Sequence, residues 1–582
     1  MIDPWFFLMH PSHFDSAFTQ ILDFKGRIDN IEELTAVLFN GETTGKVNLS
    51  HLLLTGWQRW GVDLPLHLLG NFAFAIRDAA LDCIFLVRDP LGVKPLYYTV
   101  QQGRLTHAFS VAELRRIPEL TLTPDSDWMA RYMLHLSMSD NQTAYKEVFK
   151  VPPGHSLMQI GAAAPELRRY HFWRDDAPWA SKRDECWVEA YQAVLKESIR
   201  CRIDHEAPMG SENSGGIDSA TITAYLADFL GEPGDRLHSF GFAMHEQEPA
   251  MILATSQAKR IKHNYLITSD AIDEDWDARV DHTIGILGYP EEHGNGSGHT
   301  PFYKECQLRG IRTLYSGFGG DEVVTNPAHH LRWELLDRHS YGALWNISPG
   351  NLLTRTLRTG RTALMKRKNP AYNPNFLKAW NARWPHQLLP HHIVEQLNLH
   401  QEYMETARYD APYRRINDFI VNKLLTMPYV ATRFENCTLM AAAYGVEYHW
   451  PLWDVRLVQQ YLSTPSIEKV GPKGMGRYLH RRAINDMVPK AVAWKPSKDM
   501  GYAASIRDMQ TRNLPIIGER ARALEADLHS DLHAIIDRDK LKAQIKQAVS
   551  GQTQLEFAFT FMRSISALHQ LDRWLKSHAS AS

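Results

Sequence analysis

The sequence predicts an α/β chain in which a small β-rich layer precedes a larger domain built on a parallel sheet. Three observations carry this. Ser214-Gly215-Gly216-Ile217-Asp218-Ser219 is a glycine turn that opens straight into an apolar-periodic run, Ala220 to Leu230. Ile311-Arg312-Thr313-Leu314-Tyr315 reads as a buried strand ending in a second glycine turn, Ser316-Gly317-Phe318-Gly319-Gly320-Asp321-Glu322. Two strand-to-glycine turns, each with an aspartate, suit a site at the carboxyl edge of a parallel sheet. Upstream, residues from about Gly70 to Ser110 read as a β-meander.

In chain order, Phe72 to Ile76 and Cys83 to Val87 flank the polar turn Asp78 to Asp82, as a hairpin would. Pro95 to Val100 and Arg104 to Phe109 continue the meander. A helix is expected from near Glu185, with Trp187, Ala190, Tyr191, Val194, Leu195 and Ile199 on one face. The segment before the first glycine turn, Met209 to Asn213, is polar where a buried strand is usually apolar. Either that strand is short, or Glu212 and Asn213 face the site. His238 to Phe242 is a second strand. Residues 326–426 read as helix, with no chemistry legible in them. Leu555 to Leu575 is an amphipathic helix.

The first glycine turn is an anion site in outline. Successive backbone N–H groups and a helix N-terminus favour negative charge. Ser214 and Ser219 add hydroxyl donors, and Gly215 and Gly216 let the backbone approach a phosphate. Asp218 belongs there only if a cation lies between it and the phosphate, which Mg²⁺ does. Alone such a turn is common, and GxxxxGK[ST] is absent. The second turn, with Asp321, supplies the other carboxylate for Mg²⁺ on a triphosphate.

SGGxDS followed about a hundred residues later by SGxGGDE resembles the ATP-pyrophosphatase domain of the asparagine synthetase superfamily, which includes β-lactam synthetases and lasso peptide cyclases. Gly26 to Asn30, Gly70 to Asp78 and Arg88-Asp89-Pro90-Leu91-Gly92-Val93-Lys94-Pro95 resemble that superfamily's glutaminase domain. Further resemblances are Glu447 to Asp454 with ExRxPFxD, Arg477 to Ala483 with KxxLRRA, and Trp494 to Lys498 with the lysine-bearing R-x-x-K segment. The fold so implied is an N-terminal glutaminase-like β-sandwich layer, residues 1–175, and a doubly wound α/β synthetase domain, residues 185–582. The sequence begins Met1-Ile2-Asp3, whereas such glutaminases use an N-terminal cysteine. The expectation is a glutaminase fold without glutaminase chemistry.

The resemblance implies ATP and Mg²⁺ as cofactors, adenylation of a carboxylate, and capture of the acyl group by an amine. It assigns Ser214, Gly215, Gly216, Asp218, Ser219, Ser239, Gly317 and Phe318 to the nucleotide, and Asp218 and Asp321 to the metal. Lys498 is the candidate for stabilising transition-state charge, with Lys495 an alternative. The attacking ammonium needs a base. Phe318 occupies the position of the tyrosine in the β-lactam synthetase Tyr–Glu pair, so that tyrosine is not carried over, and Glu435 or Glu447 could serve as the base or orient one. The expected function is that of a lasso cyclase, closing a precursor peptide's Asp or Glu side chain onto its N-terminal amine. Its partners would be the precursor and a leader peptidase. The alternatives are an ammonia-dependent asparagine synthetase and a β-lactam synthetase-like enzyme of small substrates.

Bulk properties narrow the classes. The 582 residues suffice for two or more domains. Charge is nearly balanced, 64 Lys+Arg against 66 Asp+Glu, which argues against nucleic acid or a membrane surface as partner. This also disfavours a tRNA thiolase, another user of SGGxDS. Five scattered cysteines without zinc spacing suit a reducing cytoplasm. No apolar run is long enough to span a bilayer.

Overall fold

The computed structural model describes residues 19–40, 48–243, 248–267, 275–364, 374–406, 413–495, 502–551 and 554–579, with the backbone alone for residues 248, 374–376, 502–511 and 579. The N-terminal part is two antiparallel sheets. Strands β1 (Thr19–Ile28), β2 (Gly70–Asp78), β3 (Cys83–Arg88), β4 (Tyr97–Gln101), β5 (Arg104–Ala108), β6 (Phe149–Lys150), β7 (His155–Ile160) and β8 (Glu166–Arg169) form it. One sheet has the order β1-β2-β3-β7-β8 and the other β5-β4-β6. The expected hairpin is there, with Ala75 opposite Leu86 and Phe74 opposite Val87. Phe72, Phe74, Ile76 and Phe85 bury on one face of the larger sheet, and Ala73, Ala75 and Leu86 on the other. That alternation is what period-2 sequence patterning produces.

The second domain holds a five-stranded parallel sheet of β9 (Met209–Glu212), β10 (Leu237–Phe242), β11 (His263–Ile267), β12 (Thr313–Tyr315) and β13 (Glu447–His449). Its order is β11-β10-β9-β12-β13, so the chain winds outward one way from β9 and then the other way from β12. The crevice at such a reversal, outside the carboxyl ends of the strands, is where doubly wound sheets hold ligands. Both glycine turns leave from that point, one after β9 and one after β12.

The polar segment before the first turn is a four-residue strand, and its composition has a local cause. A side chain on Gly210 would meet Phe240 Cε2 at 2.9 Å and Leu314 Cδ1 at 3.0 Å, so only glycine lets the flanking strands close over β9. The Ser211 hydroxyl pairs with that of Thr223 at 2.8 Å. Glu212 points to the opposite face.

The helix Cys186–Arg200 forms as expected, but its buried stripe is Val188, Tyr191, Leu195 and Ile199, with Trp187 and Val194 at its margins. The helix Leu555–Ala579 buries Phe561, Ile565, Leu568, Leu571 and Trp574. Packing crosses the boundary between the domains. Tyr97, Trp128, Tyr132 and Tyr145 from the first belong to the same apolar core as Leu314, Phe434 and Trp574 from the second. Among the described residues no helix is long and apolar enough to cross a membrane.

Candidate active site

The two glycine turns touch. A Cβ on Gly317 would collide with the backbone nitrogen of Ser219, so the second turn lies directly on the first turn of the helix Ile217–Leu230. Gly216 caps that helix in extended conformation, and Gly215 is left-handed at φ 69°. The turn is held from below. Asn213 accepts from Gly215 N at 3.2 Å, and its amide donates to Ile252 O at 3.1 Å. Ser219 Oγ accepts from Ser214 N at 3.0 Å and lies 3.1 Å from Ser214 Oγ. The hydroxyls expected as phosphate donors are thus paired with each other, while the turn keeps its helix N-terminus.

Asp218 and Asp321 share a cation. Arg477 Nη1 donates to Asp218 Oδ2 at 2.9 Å, and Nη2 pairs with Asp321. Thr325 Oγ1 donates to the other Asp218 oxygen at 2.7 Å. Two carboxylates from separate turns focused on one positive charge fit a divalent cation on phosphates. Arg477 is left-handed at φ 61° and begins the helix Tyr478–Ala483. His480 pins that helix, with Nδ1 2.9 Å from Tyr191 Oη and Nε2 3.0 Å from Thr221 Oγ1. Burial, helped by Arg477 and Arg481, lowers the His480 pKa to about 4 against the pull of Asp218, so it is a neutral strut.

Lys498 lies outside the described residues. Lys495 is described, and Arg481 donates to its carbonyl at 3.1 Å and to that of Ala493, fixing where the segment departs.

The two glutamates expected as candidate bases both stand in ion pairs. Glu435 is fully buried where the domains meet, 2.6 Å from Arg88 and 2.9 Å from Lys150. Burial alone would raise its carboxyl, but those two cations hold it below the usual carboxylate range, which makes it a poor proton acceptor. Glu447 opens β13 opposite Thr313, at the amino end of the sheet and away from the turns. Lys94 lies 3.3 Å from it. Burial raises its carboxyl, yet His449 and Lys94 outweigh that and bring it to about 2. Ser239 lies on β10 beside Ser211 of β9. It is buried in mid-strand, and its hydroxyl accepts from Ser256 at 3.4 Å.

A different acidic group stands at the carboxyl edge. Glu212 ends β9, accepts a hydrogen bond from the Tyr448 hydroxyl, and has His299 Nε2 at 3.4 Å. Burial and the Glu212 charge both raise the Tyr448 pKa, so that hydroxyl stays a donor. Phe318 packs 5.7 Å from Phe434 and 5.9 Å from Trp453 between ring centres. Sequence reasoning singled out Asp218, Asp321 and Phe318 but not Arg477, Tyr448 or His299. Arg477 and Tyr448 do lie inside recognised motifs, which was the available signal.

Asp29, Cys201 and Asp454 also cluster closely enough for a metal. Arg202 fills that role instead, 3.2 Å from Asp29 and 2.7 Å from Asp454.

The asparagine synthase family model matches residues 190–576, and a glutamine amidotransferase domain model matches residues 13–172. The chain is 26% identical over 326 residues to putative asparagine synthetase [glutamine-hydrolyzing] 2 of Methanocaldococcus jannaschii, covering 54% of this chain and 61% of that protein. It is 25% identical over 285 residues to amidase chyE of Penicillium rubens, covering 47% and 42%. Asparagine synthetase [glutamine-hydrolyzing] 3 of Bacillus subtilis is 23% identical over 233 residues, covering 40% and 38%. The matches thus span at most 61% of these relatives' lengths.

Proposed function

The chain belongs to the asparagine synthase family, and on that premise we propose that it is an ATP-dependent, AMP-forming carbon–nitrogen ligase. It activates a substrate carboxylate as an acyl-adenylate and passes the acyl group to an amine. The observation that carries this is the contact of two glycine turns whose aspartates, Asp218 and Asp321, converge on one cation at the sheet's reversal point. Asp218 and Asp321 would hold Mg²⁺, which when bound neutralises triphosphate charge.

The chain's own groups divide the remaining work. The helix N-terminus at Gly216 and the cationic Arg477 favour phosphate at the turn. Lys498, carried over from the family motif, stabilises charge that grows during acyl transfer. Glu212, oriented by Tyr448 and His299, accepts the proton that the attacking ammonium must lose.

Two acyl substrates suit this chemistry. The named relatives include two asparagine synthetases, which supports a small amino diacid with ammonia as nucleophile. Closure of a precursor peptide's Asp or Glu side chain onto its N-terminal amine is the finer alternative, supported by Phe318 in SGFGGDE and by the WKPSK form. A leader peptidase would then be a partner. The relatives weigh toward the small acid. The test is product analysis with ATP, Mg²⁺ and L-aspartate plus ammonium, and separately with a trimmed precursor peptide. AMP and pyrophosphate are expected in equal amounts with the amide. ADP and phosphate would sink the adenylate reading.

A further inference from the structure

The helix Leu352–Leu364 packs with its polar side inward. Leu353, Leu357, Gly360 and Leu364 fall on one stripe at helical spacing, and Arg355, Thr359 and Thr362 on the opposite one. A surface helix normally turns its apolar stripe to the core. Val188, Tyr191, Leu195 and Ile199 do so in the helix Cys186–Arg200. Here the polar stripe meets the protein instead. The Arg355 guanidinium carbon lies 3.8 Å from the centre of the Trp345 ring, and Nη2 donates to the Trp345 and Asn346 carbonyls at 3.0 and 2.9 Å. Trp345 Nε1 donates to Thr356 Oγ1 at 3.3 Å, the Ser348 and Thr359 hydroxyls lie 3.1 Å apart, and Arg358 donates to the Pro349 carbonyl at 2.7 Å. The leucines project outward. Leu353 is 69% exposed, Leu357 63% and Leu364 85%, with Leu352 at the helix start 72%. No residue of this helix is buried.

The stripe carries its own charge signature. Arg361 lies one helical turn from both Leu357 and Leu364, so it flanks the leucines. Between Asp337 and Glu395 the sequence holds no Asp or Glu, so nothing in this segment repels an anion. The overall balance of 64 Lys+Arg against 66 Asp+Glu conceals that local segregation. Beside the helix start, Gly474 lies against the Ile347 carbonyl and Pro349, on a loop that exposes Lys473 and Met475.

Exposed apolar side chains gathered into one stripe mark a contact surface. Shape and charge choose the occupant. The leucines form a ridge on a helix that stands on the surface, which suits insertion into a planar layer. A second copy of this chain would bring like cations together. Four leucines also offer only a few hundred Å², short of the roughly 800 Å² per partner of a stable pair. An apolar ridge flanked by cations and free of acids is the pattern of helices that lie in the interface of an anionic bilayer.

We infer that the helix Leu352–Leu364 is a peripheral anchor for an anionic lipid surface. Leu353, Leu357 and Leu364 enter the headgroup layer, and Arg361 meets lipid phosphates. Arg355 and Arg358 hold the helix to the domain by its polar side, which leaves the leucines free to insert. A surface bound here lies close to the loop that leads from Lys473 to Arg477.

The experiment is co-sedimentation of the full chain with vesicles of phosphatidylcholine alone, and of phosphatidylcholine with an equal part of phosphatidylglycerol. The protein should pellet with the anionic vesicles, and less so as salt rises. Leu353→Ser combined with Leu357→Ser should weaken binding on the order of a hundredfold, the loss of two inserted leucines. Arg361→Glu should weaken it about tenfold. These positions are exposed, so thermal melts of the variants should match wild type. Failure of wild type to pellet with anionic vesicles overturns the anchor, as does binding that the leucine substitutions leave unchanged. Dimers in analytical ultracentrifugation that the same substitutions dissolve would give the face to a second copy and overturn it. Binding of poly-L-glutamate through Arg361 without vesicle binding would assign an acidic polypeptide instead and overturn it too.

Discussion

Arg477 donates to Asp218 across 2.9 Å and pairs through its other nitrogen with Asp321, so one guanidinium joins the acidic ends of both glycine turns. An arginine in that place reports the charge the pair is built to face. The same geometry leaves Asp218 and Asp321 mutually repulsive if the cation is removed.

Asp218→Asn and Asp321→Asn should each lower AMP formation on the order of a hundredfold or more, since each removes one of two converging carboxylates. Nucleotide binding measured by titration should lose its Mg²⁺ dependence. Unchanged AMP formation in either variant would remove that residue from the site.

Gly317→Ala should destabilise the fold by about 1–3 kcal/mol, because its Cβ would collide with the Ser219 backbone rather than with a side chain that can move away. A thermal melt measures the loss. Activity should fall further than stability does, since the collision separates the two turns.

Glu212→Gln should uncouple the two halves of the reaction. Carboxylate-dependent ATP–pyrophosphate exchange should persist, while amide formation falls about a hundred- to ten-thousandfold, the usual contribution of a general base. Tyr448→Phe, which removes only the hydroxyl that orients Glu212, should show a smaller drop in the same step. Equal loss in both half-reactions would assign Glu212 a structural role.

Lys498→Ala should lower kcat on the order of a hundred- to a thousandfold with little change in KM, because its charge is used in the transition state. Steady-state kinetics separate this from a binding defect. Near wild-type turnover would move suspicion to Lys495.

Glu435→Gln should lower unfolding free energy by about 3–5 kcal/mol at neutral pH, since Arg88 stays buried without its carboxylate and Lys150 keeps only Glu292. The sign of its pH dependence follows from a folded carboxyl held below the unfolded value of 4.5. The stabilisation is present above 4.5 and is lost as pH falls through the lower folded value. Melting curves of variant and wild type should therefore lie farthest apart near pH 7 and converge in acid.

The hairpin β2–β3, the turns at Ser214 and Ser316, and the helix at Leu555 were legible because each is written in neighbouring residues. Alternation, glycine and apolar period are local signals. The site's charge partners were not. Glu435 meets Arg88 across 347 positions, and Glu212 meets Tyr448 across 236. A lone glutamate near a motif looks the same whether it is a base or one end of an ion pair. The polar composition of Met209 to Glu212 was visible, but its reason, the neighbours that close over Gly210, needed the sheet.

The Trp574 indole nitrogen donates to the Tyr145 hydroxyl at 2.9 Å, and its ring packs edge-on against Trp128, so a helix 429 residues downstream completes the wall of the amino-terminal layer. On a ribosome adding about 5–20 residues per second, Tyr145 waits roughly 20–90 s for that ring. During that interval the layer's outer aromatic face stays open to solvent and to chaperones. A nascent chain stalled before Leu555 would keep it exposed, so synthesis itself sets the order in which the two halves become one cooperative unit.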